Sequence, residues 1–290
     1  MTSDPQLSVL LRNFSAEDPG SWESLLATAE AAERAGVDRV VVSDHVVFGE
    51  SLADYGHPEK GGILGGRQPT GPEGHWLEPL TVLSVLAGRT SRVRLATGIL
   101  LAALRRPVVL AKTVATLDVL SGGRVDLGVG VGWQRAEYSA AGLPFATRGS
   151  LLDDSLDLCQ RLWREGVVEL TDGPVHQMPK PLQVGGVPLW ISGRSTNRHV
   201  VERVVRFGAG WIPWAEDAAD PAPGIARLSE ALARAGRADR SLQVTAALPV
   251  EPAEVQRLLE AGVTDFRARR TPASQVEMDE LVGEFRAQIA

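Results

Sequence analysis

Residues 87–133 constrain the fold of this 290-residue chain more than any other stretch. They read AGRTSRVRLATGILLAALRRPVVLAKTVATLDVLSGGRVDLGVGVGW. Residues 92–101 are rich in β-branched and apolar side chains and predict a strand ending near Thr97-Gly98-Ile99. Pro107 sits where a first-turn proline is tolerated, because its missing N–H would be unpaired there anyway. Leu110, Val114, Leu117 and Leu120 recur at helical spacing, and Gly122-Gly123 stop the helix. Residues 124–131 are a second apolar strand. Two buried strands joined by an amphipathic helix form a βαβ unit, hence a parallel pair with a right-handed crossover.

The second strand carries Gly128, Gly130 and Gly132 on one face and Leu127, Val129 and Val131 on the other. Three glycines on one face imply that something approaches the backbone closely. A ligand, a packed helix or a bend in the strand would each do so. The spacing G-x-G-x-G is not the G-x-G-x-x-G dinucleotide fingerprint, so a Rossmann turn is not indicated.

The rest of the chain repeats the alternation. Residues 7–11 and 37–43 read as strands around a helix at 19–34, with Ser21 as its N-cap and Gly36 as its stop. Residues 46–76 hold a Gly- and Pro-rich stretch of a length usual for a lid, a binding loop or disorder, with a lid expected, and a helix follows over 76–86. After a polar segment at 134–146, residues 148–163 are amphipathic through Leu151, Leu152, Leu156, Cys159 and Leu162. Residues 164–188 look inserted, and strands follow at 189–192, 211–213, 242–247 and 263–267 with helices between and after them. Eight strands, each followed by a helix or excursion, predict a single α/β domain over 1–290, a (β/α)8 TIM barrel with insertion regions.

Composition excludes several classes. A net charge of −6 argues against nucleic-acid binding through a basic surface. The lone Cys159 excludes an intrachain disulfide and lies in a helical apolar pattern, so it reads as core. No apolar run approaches a membrane span, and the opening MTSDPQLSVLLRNF lacks a basic, then apolar, leader pattern; a cytoplasmic protein is expected. His57, His75, His176 and His199 show no metal-ligand spacing, and no metal is expected. There is no G-x-S-x-G elbow and no P-loop. Lys60, Lys112 and Lys180 fall in a loop, a helix and the excursion, which argues against Schiff-base chemistry and a barrel lyase or isomerase.

In such a barrel, chemistry sits at the carboxyl ends of the strands. Those ends present Asn13, Asp44-His45, Gly98-Ile99, Gly130 to Trp133, Ser192 to Ser195, and Trp211 to Trp214. Ser192-Gly193-Arg194-Ser195 opens a helix, and helix N-termini suit phosphate, with Arg194 and Arg198 adding donors. The alternative is a plain cap made by Ser195 or Thr196. His45 suits general acid–base work, or is structural; Asp44 suits a helix N-terminus or an arginine as partner. Trp133, Trp211 and Trp214 could stack on a planar ring or simply cover the rim.

With those residues in hand, the chain resembles the luciferase-like monooxygenase superfamily, and within it the F420-dependent oxidoreductases. The resemblance is carried by VVSDHVVF, by the 92–133 stretch and by LWISGRSTNRHVVERVVRFGAGWIP. It implies a deazaflavin (coenzyme F420), or alternatively FMN, across the barrel mouth. It implies a non-proline cis peptide at Gly98-Ile99 behind the ring, and Gly130 and Gly132 as bare backbone beneath it. Ser192, Gly193, Arg194 and Ser195 would hold the phosphate. Asp44 and His45 match the Asp-His pair of F420-dependent sugar-phosphate and alcohol dehydrogenases, with His45 as the catalytic residue. Those enzymes carry a glutamate just after the fourth-strand glycine where this chain has Trp133, which sits badly with that dehydrogenation. A basic rim at Arg106, Arg194 and Arg198 would suit the acidic tail of F420. The expected activity is hydride transfer between F420 and a small organic molecule. The alternatives are an FMN monooxygenase fed by a reductase partner, and a flavin-binding protein without turnover. The family also implies a homodimer.

Overall fold

A parallel sheet must bury both faces, and strand–helix alternation does so here by closing the sheet on itself. The computed structural model describes residues 4–60, 62–237 and 242–290. Residues 1–3 of the expected domain and residue 61 of the expected lid lie outside the described residues.

In chain order the first elements are β1 (Gln6–Leu10), β2 (Phe14–Ser15), α1 (Glu23–Ala35), β3 (Arg39–Val42), β4 (His75–Trp76) and α2 (Pro79–Arg89). Next come β5 (Arg94–Thr97), α3 (Pro107–Leu120), β6 (Val125–Val129), α4 (Arg135–Ala140) and α5 (Arg148–Arg164). The second half holds β7 (Val168–Leu170), β8 (Gly173–Val175), β9 (Leu189–Gly193), α6 (Arg198–Phe207), β10 (Gly208–Pro213), α7 (Glu216–Ala219) and α8 (Ala222–Arg234). It ends with β11 (Gln243–Ala247), α9 (Pro252–Ala261), β12 (Asp265–Arg267) and α10 (Gln275–Ile289). The closed barrel runs β1-β12-β11-β10-β9-β6-β5-β3, all parallel, so the eight expected strands are the eight observed.

Several expectations are corrected. Trp76 does not begin a helix: it pairs with Phe14 in the ribbon β2–β4 and stacks on its ring at 4.4 Å. The helix starts at Pro79, where the Glu78 side chain caps it by accepting the Thr81 amide at 2.7 Å. Ser21 is not the N-cap of α1, where Trp22 holds that position, although its Oγ accepts the Glu23 amide. Leu120 is 71% exposed rather than on the buried face of α3. The polar segment at 134–146 contains α4, too short to show a period. Residues 164–188 contain the hairpin β7–β8. Cys159 is buried in the face of α5 turned to α3, and burial pushes its thiol up to about 12, which makes it a poor nucleophile.

The amino end of the barrel is closed by ions. Arg39 binds both Asp126 and Asp265, and Arg94 binds Asp126 at 2.6 and 2.7 Å. Burial alone would raise Asp126, yet Arg39 and Arg94 outweigh it and hold its carboxyl below the ordinary range. No helix among the described residues is long and apolar enough to cross a membrane.

Gly128 in β6, and Gly130 and Gly132 just beyond it, pack against a neighbouring segment of the chain. A Cβ on Gly128 would lie 2.0 Å from the Thr97 carbonyl oxygen, and one on Gly130 would lie 2.4 Å from Ile99. One on Gly132 would lie 2.7 Å from Leu101. What approaches this backbone is the segment 97–101 leaving β5, bonded to it through Leu100 N to Gly128 O and Gly130 N to Leu100 O. Gly128→Ala is expected to cost at least about 2–3 kcal/mol by overpacking against backbone. Exposed Gly88→Ala, with nothing near its Cβ, is expected to gain up to about 1 kcal/mol from helix propensity. Urea unfolding of both variants checks the pair.

Glu33, near the end of α1, seats the approach to β5 by accepting the amides of Ser91, Arg92 and Val93. Burial opposes ionisation there, but those bonds prevail and lower its carboxyl to about 2. Its folded pKa lies below its unfolded one, so the stabilisation is complete above the ordinary value of 4.5 and vanishes as pH falls through about 2. Glu33→Gln should therefore be destabilised at neutral pH and match wild type in melts near pH 2.

Candidate active site

A cavity of about 500 Å³ opens at the carboxyl ends of the strands. The segments leaving β5 and β6, packed against each other, contribute Gly98, Ile99 and Leu101 and Gly130 to Trp133 to its lining. The Gly98–Ile99 bond is cis. Asp44 and His45 enter after β3, and Ser192 to Arg194 from β9. Tyr55, Pro58, Arg67 and Trp76 of the 46–76 segment also line the cavity.

His45 stands in an aromatic box, with ring centroids 4.6 Å from Phe48, 4.8 Å from Trp76 and 6.3 Å from Trp133. Its Nδ1 lies 3.2 Å from Oε1 of Glu137, and the same oxygen accepts the Val46 amide at 2.9 Å. Glu137 lies on α4 with a fully buried side chain and does not line the cavity. Gln134, just before α4, accepts the Gly49 amide at 2.6 Å and donates to the Val47 carbonyl at 3.1 Å. Two side chains beside one short helix thus hold the root of the 46–76 segment.

Asp44 borders the cavity, but its carboxylate is spent inside the protein. Oδ2 accepts the Leu101 amide at 2.8 Å and Arg105 Nη1 at 2.6 Å, and Oδ1 accepts Arg105 Nη2 at 3.2 Å. Arg105 also reaches Glu78 at 2.7 Å. Burial works against the Arg105 charge, yet Asp44 and Glu78 outweigh it and raise its pKa. Of the two partners open to Asp44 in the sequence, the arginine is the one observed. Its effect is to tie the end of β3 to the chain that follows the cis bond.

The anion side also differs from expectation. The helix after β9 begins at Arg198, and Asn197 caps it by accepting the His199 amide at 3.0 Å, not Ser195 or Thr196. Ser195 is buried and turned away: its amide and hydroxyl both bind Asp217, at 2.6 and 3.0 Å, and Arg227 donates to its Oγ. Ser192, Gly193 and Arg194 do line the cavity, as does Asn197. Gly193 has φ of +141°, and a Cβ there would meet Val200 at 2.6 Å, so only glycine fits.

Neither Arg106 nor Arg198 reaches the cavity; Arg67, Arg148, Arg194 and Arg203 do. Arg194 faces Glu216 at 3.5 Å and Arg203 binds Asp153 at 2.7 Å. Among the described residues, Arg67 and Arg148 have no carboxylate partner. Arg148 lies over the Phe145 ring at 4.0 Å, with Nε buried and unpaired. Burial lowers its pKa below the usual guanidinium value, without displacing its proton at neutral pH. Of the three tryptophans, Trp133 and Trp214 line the cavity, whereas Trp211 is fully buried and donates to the Gly193 carbonyl.

Residues 6–286 match the family described as luciferase-like monooxygenase. The chain belongs to that family. Luciferase-like proteins are F420- or flavin-dependent oxidoreductases and monooxygenases. The chain is 32% identical to an F420-dependent glucose-6-phosphate dehydrogenase of Amycolatopsis mediterranei over 209 residues, covering 68% of this chain and 55% of that protein. It is 31% identical to the oxygenase component of the flavin-dependent trigonelline monooxygenase of Acinetobacter baylyi over 129 residues, covering 42% and 35%. An F420-dependent secondary alcohol dehydrogenase in complex with an F420-acetone adduct shares the fold, with TM-score 0.72, 17% identity and 99% of both chains covered.

In this luciferase-like barrel, Glu137, Gln134, Arg67, Arg148, Tyr55 and Trp76 are the cavity and support residues that sequence reasoning did not single out. A buried glutamate on a six-residue helix leaves no periodic signal, and Arg67 reaches the site only through the path of a long loop. Asp44→Ala leaves Arg105 without its buried partner and the Leu101 amide unpaired. Urea unfolding should record a loss of about 3–5 kcal/mol.

Proposed function

We propose that this protein is an F420-dependent oxidoreductase that transfers hydride between the deazaflavin and a small organic substrate. The observation that carries the reading is His45, boxed by aromatic rings in a cavity that also holds two arginines without carboxylate partners among the described residues. The backbone of Gly98, Gly130 and Gly132 and the rings of Trp133 and Trp214 suit a flat tricyclic ring system. Arg148, with its unpaired Nε, and Arg67 suit a phosphate or carboxylate tail, with Ser192, Gly193 and Arg194 beside them. The residues present therefore fit the cofactor, which when bound supplies the hydride donor and acceptor carbon.

The protein's part is to bind, orient and handle a proton. Ile99, Leu101 and Trp133 line the cavity and would contact the ring system. His45 holds or releases a proton at Nε2, the ring nitrogen not engaged by Glu137. We read residues 46–76 as a lid whose root is pinned by Gln134 and Glu137, so that its closure excludes water from the cavity. Residues 164–188 are read as an insertion in a single catalytic domain over 1–290.

A second reading keeps the fold and substitutes FMN, reduced by a partner reductase, for F420. It is favoured by Trp133, which stands where F420-dependent sugar-phosphate and alcohol dehydrogenases carry a glutamate, and by the trigonelline monooxygenase relative.

Fluorescence titration separates the two: micromolar binding of F420, with FMN at least tenfold weaker, is expected. The reverse order moves the assignment to FMN, and binding of neither ends it. With the loaded enzyme, His45→Asn should lower kcat roughly 10²–10⁴-fold while cofactor Kd stays within about threefold.

A further inference from the structure

Glu137 is placed where a merely structural acid would not need to be. Its side chain is fully buried, and both of its hydrogen bonds fall on one oxygen: Oε1 takes the Val46 amide at 2.9 Å and meets His45 Nδ1 at 3.2 Å. Oε2 is buried with no hydrogen-bond partner among the described residues. A carboxylate satisfied at both oxygens would be more stable, so burial with one oxygen unpaired calls for an explanation in function. With Glu137 ionised, Oε1 only accepts, and the imidazole donates to it. The ring then carries its hydrogen on Nδ1.

We propose that Glu137 is the positioning residue for His45, fixing the Nδ1–H tautomer and leaving Nε2 bare toward the cavity. This rests on the reading of His45 as the proton-handling group. The aromatic box holds the plane of the ring, through Phe48 at 4.6 Å and Trp76 at 4.8 Å, but offers its nitrogens no acceptor. Glu137 supplies what the box lacks, a choice between the two nitrogens. Because the same oxygen binds Val46, the first residue of the 46–76 segment, the tautomer is also tied to the seating of that segment's root. Glu137 acts from behind the histidine and does not itself line the cavity.

The test is a long-range proton–nitrogen correlation spectrum of the full chain labelled with ¹⁵N-histidine. It is recorded at a pH where imidazole is neutral, with His45 assigned by its loss in His45→Asn. Wild type should show a protonated Nδ1 and an unprotonated Nε2. Glu137→Gln keeps an acceptor oxygen and should keep that pattern; Glu137→Leu should lose it, giving mixed tautomers. In turnover, Glu137→Leu should lower kcat roughly tenfold or more at little-changed KM, with Glu137→Gln recovering most of the loss. An Nε2–H tautomer in wild type, or an unchanged spectrum in Glu137→Leu, overturns the proposal. The wild-type spectrum alone decides should the leucine variant not fold. Full turnover by His45→Asn would instead remove the catalytic reading of the histidine and leave the tautomer result standing.

Discussion

The rim of this barrel depends on one close approach. Segment 97–101, on leaving β5, lies so near the end of β6 that a side chain on Gly128 would strike the Thr97 carbonyl, and ones on Gly130 and Gly132 would meet the ends of Ile99 and Leu101. Hydrogen bonds between Leu100 and the two glycines on either side of Val129 lock the contact. Asp44 completes it from the other flank by holding the Leu101 amide and Arg105. Three successive strand ends are thereby joined into one rigid base, and every residue that faces the cavity from them inherits its position. A site built on strand ends tied in this way is more precise than one borne on loops.

Charge is distributed unequally between the two ends of the barrel. At the amino end Arg39, Arg94, Asp126 and Asp265 neutralise one another inside the protein, and Ser8 and Thr245 use the remaining oxygen of Asp265. At the carboxyl end Arg67 and Arg148 line the cavity with no carboxylate partner among the described residues, and Trp133 Nε1, Arg148 Nε and Glu137 Oε2 are buried without partners among those residues. Folding alone favours the first arrangement. Three of the six buried unpaired side-chain atoms among the described residues belong to residues at or beside the cavity, where incomplete pairing is compatible with a site that trades stability for binding or chemistry.

The family assignment fits this division of labour. A luciferase-like barrel lends the ring chemistry to a bound cofactor and keeps for itself orientation, tail binding and proton handling. On one side of the cavity, Glu137 lies behind His45 and Gln134 holds the root of the 46–76 segment.

Much of the architecture was legible in the residues. Periodicity located eight strands, and Pro107 and Gly122 bounded α3, because local burial patterns repeat with the period of each element. Boundaries slipped where a neighbour distant in sequence took over, as when Phe14 drew Trp76 into a ribbon. Strand-end logic likewise brought Asp44, His45, Gly98, Ile99, Gly130, Gly132 and Trp133 to the cavity. Ser195, Arg106 and Arg198 failed to reach it because side-chain direction and helix start are set by partners such as Asp217 and Asn197. The sequence by itself determined the alternation, the closed sheet and the end of the barrel where chemistry sits, since these follow from backbone geometry and apolar spacing. Only the tertiary structure decided that the β6 glycines serve a neighbouring strand, that Asp44 is an internal tie, and that Glu137 stands behind His45. Each of those is a contact between segments far apart in the chain, and no local pattern encodes which partner arrives.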